Sequence, residues 1–285
     1  MADQNTSFER HIQVNRTDCS ATDQLVDATG LSRQRIKKAM QKGAVWHSRE
    51  KTTRRIRRAS RQMRNGDVLH IYYNEQVLAA VPSPSRLIAD ESAYSVWYKP
   101  YGVRSQGSKW GDHCTVHRWV ESHLKPQRPA FVVHRLDRAA TGLMLIAHGK
   151  GSATKLARLF QNRRIEKRYR AIVHGRFSDS PESLALDGKI EGKDALSIAN
   201  YLEYDSNKEQ SLLEVTIETG RKHQIRRHLA GLGFPVVGDR LYGWEGDVED
   251  LKLNACFLGF LCPIEGLEKR YELPDGLLLG LSGSR

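Results

Sequence analysis

Two apolar periods divide this chain. Between Leu31 and Gly43, LSRQRIKKAMQKG places Ile36, Ala39 and Met40 at i, i+3 and i+4, one face of a helix that Ser32 can cap and Gly43 can stop. AVWHS then predicts a short strand. NGDVLHIYY predicts a turn followed by alternation of Val68, His70 and Tyr72 with Leu69, Ile71 and Tyr73. Residues 76–90, QVLAAVPSPSRLIAD, carry two prolines among small residues and predict a linker. From Ala93 onward AYSVWYKP, FVVHRL, GLMLIAHG, KRYRAIVHG and SLLEVTIET predict strands. GSATKLARLFQN, with Leu156, Leu159 and Phe160 on one face, and RKHQIRRHLAGLG, with Ile225, Leu229 and Leu232, predict helices. Strands outnumber helices and do not alternate regularly with them. The expected class is therefore α+β, a mixed, mainly antiparallel sheet with packed helices, plus a small N-terminal helix-and-strand module.

A length of 285 residues with 39% apolar content has room for two domains, expected at 14–75 and 91–285 on either side of the linker. Cys19, Cys114, Cys256 and Cys262 show no Cys-x-x-Cys pairing, which excludes a zinc ribbon and a disulfide scaffold and suits a reducing compartment. The start, MADQNTSFER, lacks a basic segment leading into an apolar one, and LMLIA and CFLGFLC are far shorter than a membrane span. A cytoplasmic location is expected.

Charge sharpens the picture of the first module. The net charge is +12, and from Arg33 to Arg64 there are 13 Lys or Arg against one acid, Glu50. The rest of the chain is neutral. Excess charge gathered in one segment predicts contact with a polyanion, because each cation placed on a phosphate releases counterions. Nucleic acid is the expected partner, with Arg33, Arg35, Lys37, Lys38, Arg54, Arg55, Arg57 and Arg58 as candidate contacts. A solvated basic face is the bland alternative.

The segment 14–74, with LSRQRIKKAMQKG ahead of GD and an apolar strand, resembles the alpha-L type RNA-binding domain of ribosomal proteins and RNA-modifying enzymes. Its loop between Ser48 and Asn65 is longer and more basic than usual. Further on, WYKPYGV, HRLDRAATGLML, KRYRAIVHG, TGRKHQIRRHLAGLGFPVVGDRLYG and LNACFLGFLCP occur in the order of a pseudouridine synthase of the RluA type, and that resemblance covers 91–285. It implies isomerisation of uridine in RNA to pseudouridine, a redox-neutral exchange of the base's bond to the sugar from N1 to C5 that requires no cofactor.

The resemblance implies Asp137 as nucleophile on an extruded uridine, Tyr169 as the ring that stacks on uracil and acts at C5, and Arg226 as the partner of Asp137, with Arg221 as runner-up. An arginine makes physical sense. Burial can raise a carboxyl by ~3 to 5 pH units, and a neighbouring cation lowers it by ~1 to 3. Arg135 and Arg138 are expected on the RNA backbone and Lys167 and Arg168 on phosphates, while Lys99 and Gly102 form a structural turn. The family shows Asp-Thr-Ser-Gly after the arginine where this chain has Ala139, Ala140, Thr141 and Gly142. A metal held by His134, His223 and His228 is not expected, since His223 and His228 stand about 140° apart on a helix. The competing readings are an RNA-binding or ribosome-assembly factor with an inert synthase domain, and a metal-dependent nuclease, which lacks its carboxylate cluster. Ribosomal RNA is expected ahead of transfer RNA.

Overall fold

The computed structural model describes residues 6–177 and 183–281. They form two compact units, one comprising the described residues up to Pro82 with Gln106–Trp119, the other Ser83–Ser105 with the described residues from Val120 onward.

In the first unit, helices α1 (Ala21–Thr29), α2 (Arg33–Gln41) and α3 (Glu75–Ala79) accompany strands β1 (Ser7–Gln13), β2 (Val45–Arg49), β3 (Thr52–Arg55) and β4 (Val68–Asn74). The strands form one antiparallel sheet in the order β1-β4-β2-β3. Helix α2 starts where the Ser32 hydroxyl accepts from the Arg35 amide at 3.3 Å. Its Ile36, Ala39 and Met40 are fully buried with Leu25 of α1 and Leu69 and Ile71 of β4. Each large apolar side chain so buried contributes about 1.5 to 3 kcal/mol. Of the alternating residues in β4, Leu69, Ile71 and Tyr73 face this core.

The division of the chain differs from the expected one in four ways. Strand β1 precedes residue 14, the long basic loop contains β3, and the supposed linker contains α3 and β5 (Arg86–Asp90). Gln106–Trp119, expected in the second domain, belongs to the first unit. Ion pairing accounts for this. Asp112, 3% exposed, receives the Arg57 guanidinium at 2.5 Å, and Trp46 Nε1 donates to the Lys109 carbonyl at 3.1 Å.

The second unit is built on ten strands: β5, β6 (Tyr94–Lys99), β7 (Phe131–Val132), β8 (Thr141–Ala147), β9 (Glu166–His174), β10 (Leu184–Ile190), β11 (Lys193–Asp205), β12 (Gln210–Ile217), β13 (Leu253–Leu261) and β14 (Glu268–Glu272). Helix α4 (Val116–His123) crosses the sequence boundary between the units, and α5 (Lys150–Gln161) and α6 (Gln224–Gly231) pack within the second. The order is β10-β11-β12-β9-β13-β8-β6-β5, with β14 on β13 and β7 on β8. All pairs are antiparallel except β13 with β8, which run parallel over two residue pairs, Asn254 with Thr141 and Ala255 with Gly142. Here the backbones approach so closely that a Cβ on Gly142 would stand 2.3 Å from the Ala255 carbonyl oxygen. This seam joins the two halves of the sheet, and the HRLD loop leads directly into it. The architecture is α+β, as the sequence pattern indicates. FVVHRL is strand only at Phe131–Val132, and α6 starts at Gln224, three residues later than the pattern suggests, because Lys222 and His223 lie in a turn. Among the described residues no helix is long and apolar enough to cross a membrane.

Candidate active site

Asp137 sits in the loop ahead of β8, and buried polar contacts fix that loop. The Ser105 hydroxyl donates to the Leu136 carbonyl at 2.7 Å and accepts from the Leu136 amide at 2.9 Å. Beneath it Lys99, wholly buried, donates to the carbonyls of Pro100, Val103 and Arg138 at 3.1, 2.9 and 3.1 Å. Burial pulls Lys99 down to about 7, against the pull of Asp137. Three carbonyl acceptors require three N–H donors, so the geometry is that of the ammonium form. His134 is structural too. Its Nε2 accepts from the Leu145 amide at 2.9 Å, its ring stacks on Phe160 at 4.2 Å, and burial takes it down to about 3, so it is neutral.

The opposite wall comes from the TGRKHQIR segment. Gln224 shapes it, accepting at Oε1 from the Thr219 hydroxyl (2.6 Å) and the Arg221 amide (3.0 Å) and donating to the Leu196 carbonyl and the Ser197 hydroxyl, both at 2.9 Å. The turn brings Arg226, 5% exposed, onto Asp137, with Nη1 donating to Oδ2 at 3.2 Å. Arg221 is turned away and donates from Nε to the Asp194 carbonyl at 2.9 Å. Arg226, not Arg221, is the residue paired with the carboxylate.

Sequence reasoning missed Asp239. In the structure it grips the other side of Arg226 in a bidentate pair, Nε to Oδ2 at 2.7 Å and Nη2 to Oδ1 at 2.6 Å. Oδ1 also accepts from the amides of Leu241 (3.0 Å) and Tyr242 (3.1 Å). Burial opposes ionisation of Asp239, but these donors outweigh it and hold the carboxyl below its ordinary range. Two further groups close the site. The Tyr242 ring lies 5.2 Å from the Arg226 guanidinium, and its hydroxyl is 3.0 Å from His223 Nδ1. His223 Nε2 stands 3.7 Å from Asp137 Oδ1.

Tyr169 of β9 lines the same pocket, with Ile217, Ile225 and Leu253 supplying apolar wall. Burial, and then the charge of Asp137, push its phenol well above the ordinary range, so it stays protonated. Asp137 itself is 30% exposed at the side chain and opens into this pocket.

The other candidates divide. Arg135 is exposed and lines the pocket, and Arg138 is exposed with Nε 3.3 Å from the Gly102 carbonyl. Lys167 is not available to phosphates as expected. It is 8% exposed, on the same side of β9 as Tyr169, Ala171 and Val173, and burial lowers it. Arg168 lies 3.8 Å over the Phe257 ring and 3.1 Å from Glu166. In the first unit Arg55 and Arg57 are turned inward. Arg55 donates to the carbonyls of Gly43 (2.9 Å) and Ser108 (2.6 Å) and stacks on Trp46, and Arg57 pairs with Asp112. Arg33 pairs with Asp23 and Arg35 lies 3.5 Å from Glu75, both at the surface. Lys37, Lys38, Arg54 and Arg58 are exposed. Among the described residues no group of three His, Cys, Asp or Glu could hold a metal ion.

A carboxylate with one oxygen tied to a guanidinium, in a pocket that Tyr169 and His223 also line, defines a site for nucleophilic or acid–base chemistry. A family model described as RNA pseudouridylate synthase matches residues 93–231. An uncharacterised RNA pseudouridine synthase of Aquifex aeolicus is 32% identical over 86% of this chain and 86% of its own. The ribosomal large subunit pseudouridine synthase D of Vibrio cholerae is 29% identical over 86% of this chain and 84% of its own. The chain belongs to the RNA pseudouridine synthases, isomerases that act on RNA. Human RNA pseudouridylate synthase domain containing 1 shares the fold at a TM-score of 0.58, with 23% identity over 70% of this chain and 87% of that one.

Proposed function

We propose that this enzyme isomerises uridine in ribosomal RNA, with Asp137 as nucleophile. The supporting observation is the asymmetry at the carboxylate: Arg226 donates to Oδ2 at 3.2 Å, whereas the neighbour of Oδ1 is His223 Nε2 at 3.7 Å, beyond hydrogen-bond distance, and the residue lines the pocket. Oδ1 attacks C1′ of an extruded uridine, N1 leaves with the bonding pair, the uracil turns, C5 bonds to C1′ and the carboxylate departs. Tyr169 offers its face to the detached base, so the base is held without a directional bond and is able to rotate. The reaction neither oxidises nor reduces, and no cofactor enters its balance. Lys37, Lys38, Arg54 and Arg58 meet backbone phosphates, as Arg135 and Arg138 do beside the pocket.

The name of the Vibrio cholerae relative supports the large-subunit RNA as target. The deciding experiment uses large-subunit RNA from a strain lacking the gene, treated with wild type or Asp137→Asn and assayed for pseudouridine by a chemical label, since the isomer has unchanged mass. Wild type is expected to form product and the variant none, with RNA affinity retained. Product from Asp137→Asn would refute the assignment.

A further inference from the structure

The isomerisation leaves one proton to be moved. When C5 bonds to C1′ it still carries its own hydrogen, which has to depart while N1 gains one. Besides Asp137 and the arginines, the pocket presents two titratable side chains, Tyr169 and His223. The Tyr169 phenol keeps its proton, since burial and Asp137 both oppose ionisation, so it is a poor acceptor. His223 is placed and prepared differently. Its Nε2 is 3.7 Å from Asp137 Oδ1, the oxygen to which Arg226 does not donate, and so lies close to whatever atom bonds there. Its Nδ1 is 3.0 Å from the Tyr242 hydroxyl, which fixes the ring. The backbone at His223 has φ 55, a left-handed conformation that is uncommon for a residue other than glycine and gathers at functional sites. Burial lowers the imidazole below its ordinary value although Asp137 opposes this, and Arg226, Lys222 and Asp239 are the other charges that act on it.

We propose that His223 carries this proton, with Nε2 taking it from C5 and delivering it to N1. The inference rests on the reading of Asp137 given above. In the adduct, C5 bears the sugar and a hydrogen, and N1 is doubly bonded to C6. The C5–H bond breaks toward Nε2, and its electron pair forms the C5–C6 double bond. The N1–C6 π pair moves onto N1, which takes the proton from the imidazolium. Imidazole and carboxylate are both regenerated, and no proton is gained or lost.

The test uses the full chain in single turnover on large-subunit RNA from a strain lacking the gene, labelled with tritium at C5 of uridine. His223→Asn is the variant of choice because asparagine tolerates a left-handed backbone. Tritium release is expected to fall by roughly 10²-fold, and the acid limb of the wild-type pH profile, where the imidazole protonates, is expected to vanish. RNA carrying 5-fluorouridine has no C5 proton to lose, so His223→Asn is expected still to be captured on it, whereas Asp137→Asn is not. Loss of capture by His223→Asn, or a wild-type release rate and pH profile, overturns the proposal. Release by Asp137→Asn would instead overturn the reading of Asp137 itself. Tyr242→Phe removes the Nδ1 partner and leaves the imidazole in place; a shifted acid limb with roughly tenfold slower release is expected. An unchanged profile counts against the proposal, and so does a larger loss in Tyr169→Phe than in His223→Asn.

Discussion

Removing the Asp239 carboxylate would leave Arg226 with Asp137 alone as its ionic partner, at 3.2 Å. Both members of the Arg226–Asp239 pair are buried, and a buried guanidinium that loses its bidentate partner is costly. Asp239→Asn is expected to lose about 3 kcal/mol in denaturant unfolding, and kcat roughly 10- to 100-fold with little change in KM. The same residue gives a pH signature. Its folded carboxyl lies below the ordinary value of about 3.9, so near that value the unfolded chain binds more protons. The stabilisation is complete above about pH 5 and is lost as pH falls through the folded value. Wild type should therefore show a steeper loss of stability toward pH 3 than Asp239→Asn does. Equal slopes would show that the pair is not linked to folding.

How far these residues could be read from the chain depended on what surrounds them. Asp137, Tyr169 and Arg226 sit inside long motifs, and the choice between Arg226 and Arg221 needed only the direction of one turn. Asp239 follows Gly238 in FPVVGDR, where an acid after a glycine resembles a turn former. Its partner is 13 residues away, beyond the reach of local patterns. Lys167 was misjudged for the opposite reason. Period two along β9 places it beside Tyr169, Ala171 and Val173, but the adjoining charges in EKRYR masked that alternation.

Among the elements, α2, α5, α6 and several inner strands were legible from apolar spacing, while α1, α4, the inner strands β11 and β13 and the edge strands of the first sheet were not. SFERHIQ and TTRR form β1 and β3 at the two edges of the first sheet. Their polar residues suit an edge, and only pairing with β4 and β2 makes them strands. The parallel meeting of β8 and β13 was likewise invisible, since it joins residues more than a hundred positions apart. It yields a sharp expectation. Gly142 has φ 117 and no space for a methyl group against backbone, so Gly142→Ala should lower stability by about 2 kcal/mol or more and reduce activity, measured as melting temperature and pseudouridine yield. Retained stability would mean that the seam yields more easily than its geometry implies.

For the molecule as a whole, not all of the excess positive charge faces outward. Arg49 clamps the buried Asp67 through two 2.7 Å bonds, and Arg55 and Arg57 hold Asp112, so part of the basic segment binds protein. The distinction is measurable. Lys37→Ala with Lys38→Ala should weaken RNA binding and reduce the slope of log affinity against log salt by about 1.4 to 1.8 with no change in melting temperature. Arg57→Ala should chiefly destabilise. An unaltered salt slope in the lysine variant would place the RNA on another face.

The strand order also governs when the enzyme comes into being. β13 is among the last strands in the sequence, yet it lies between β9 and β8 at the middle of the second sheet. A growing polypeptide on the ribosome thus lacks the strand between the half of the sheet that carries Asp137 and the half that carries Arg226 until residues 253–261 have emerged. Catalytic competence is expected only after that point, and fragments ending before it are expected to be inert however well their earlier strands have paired.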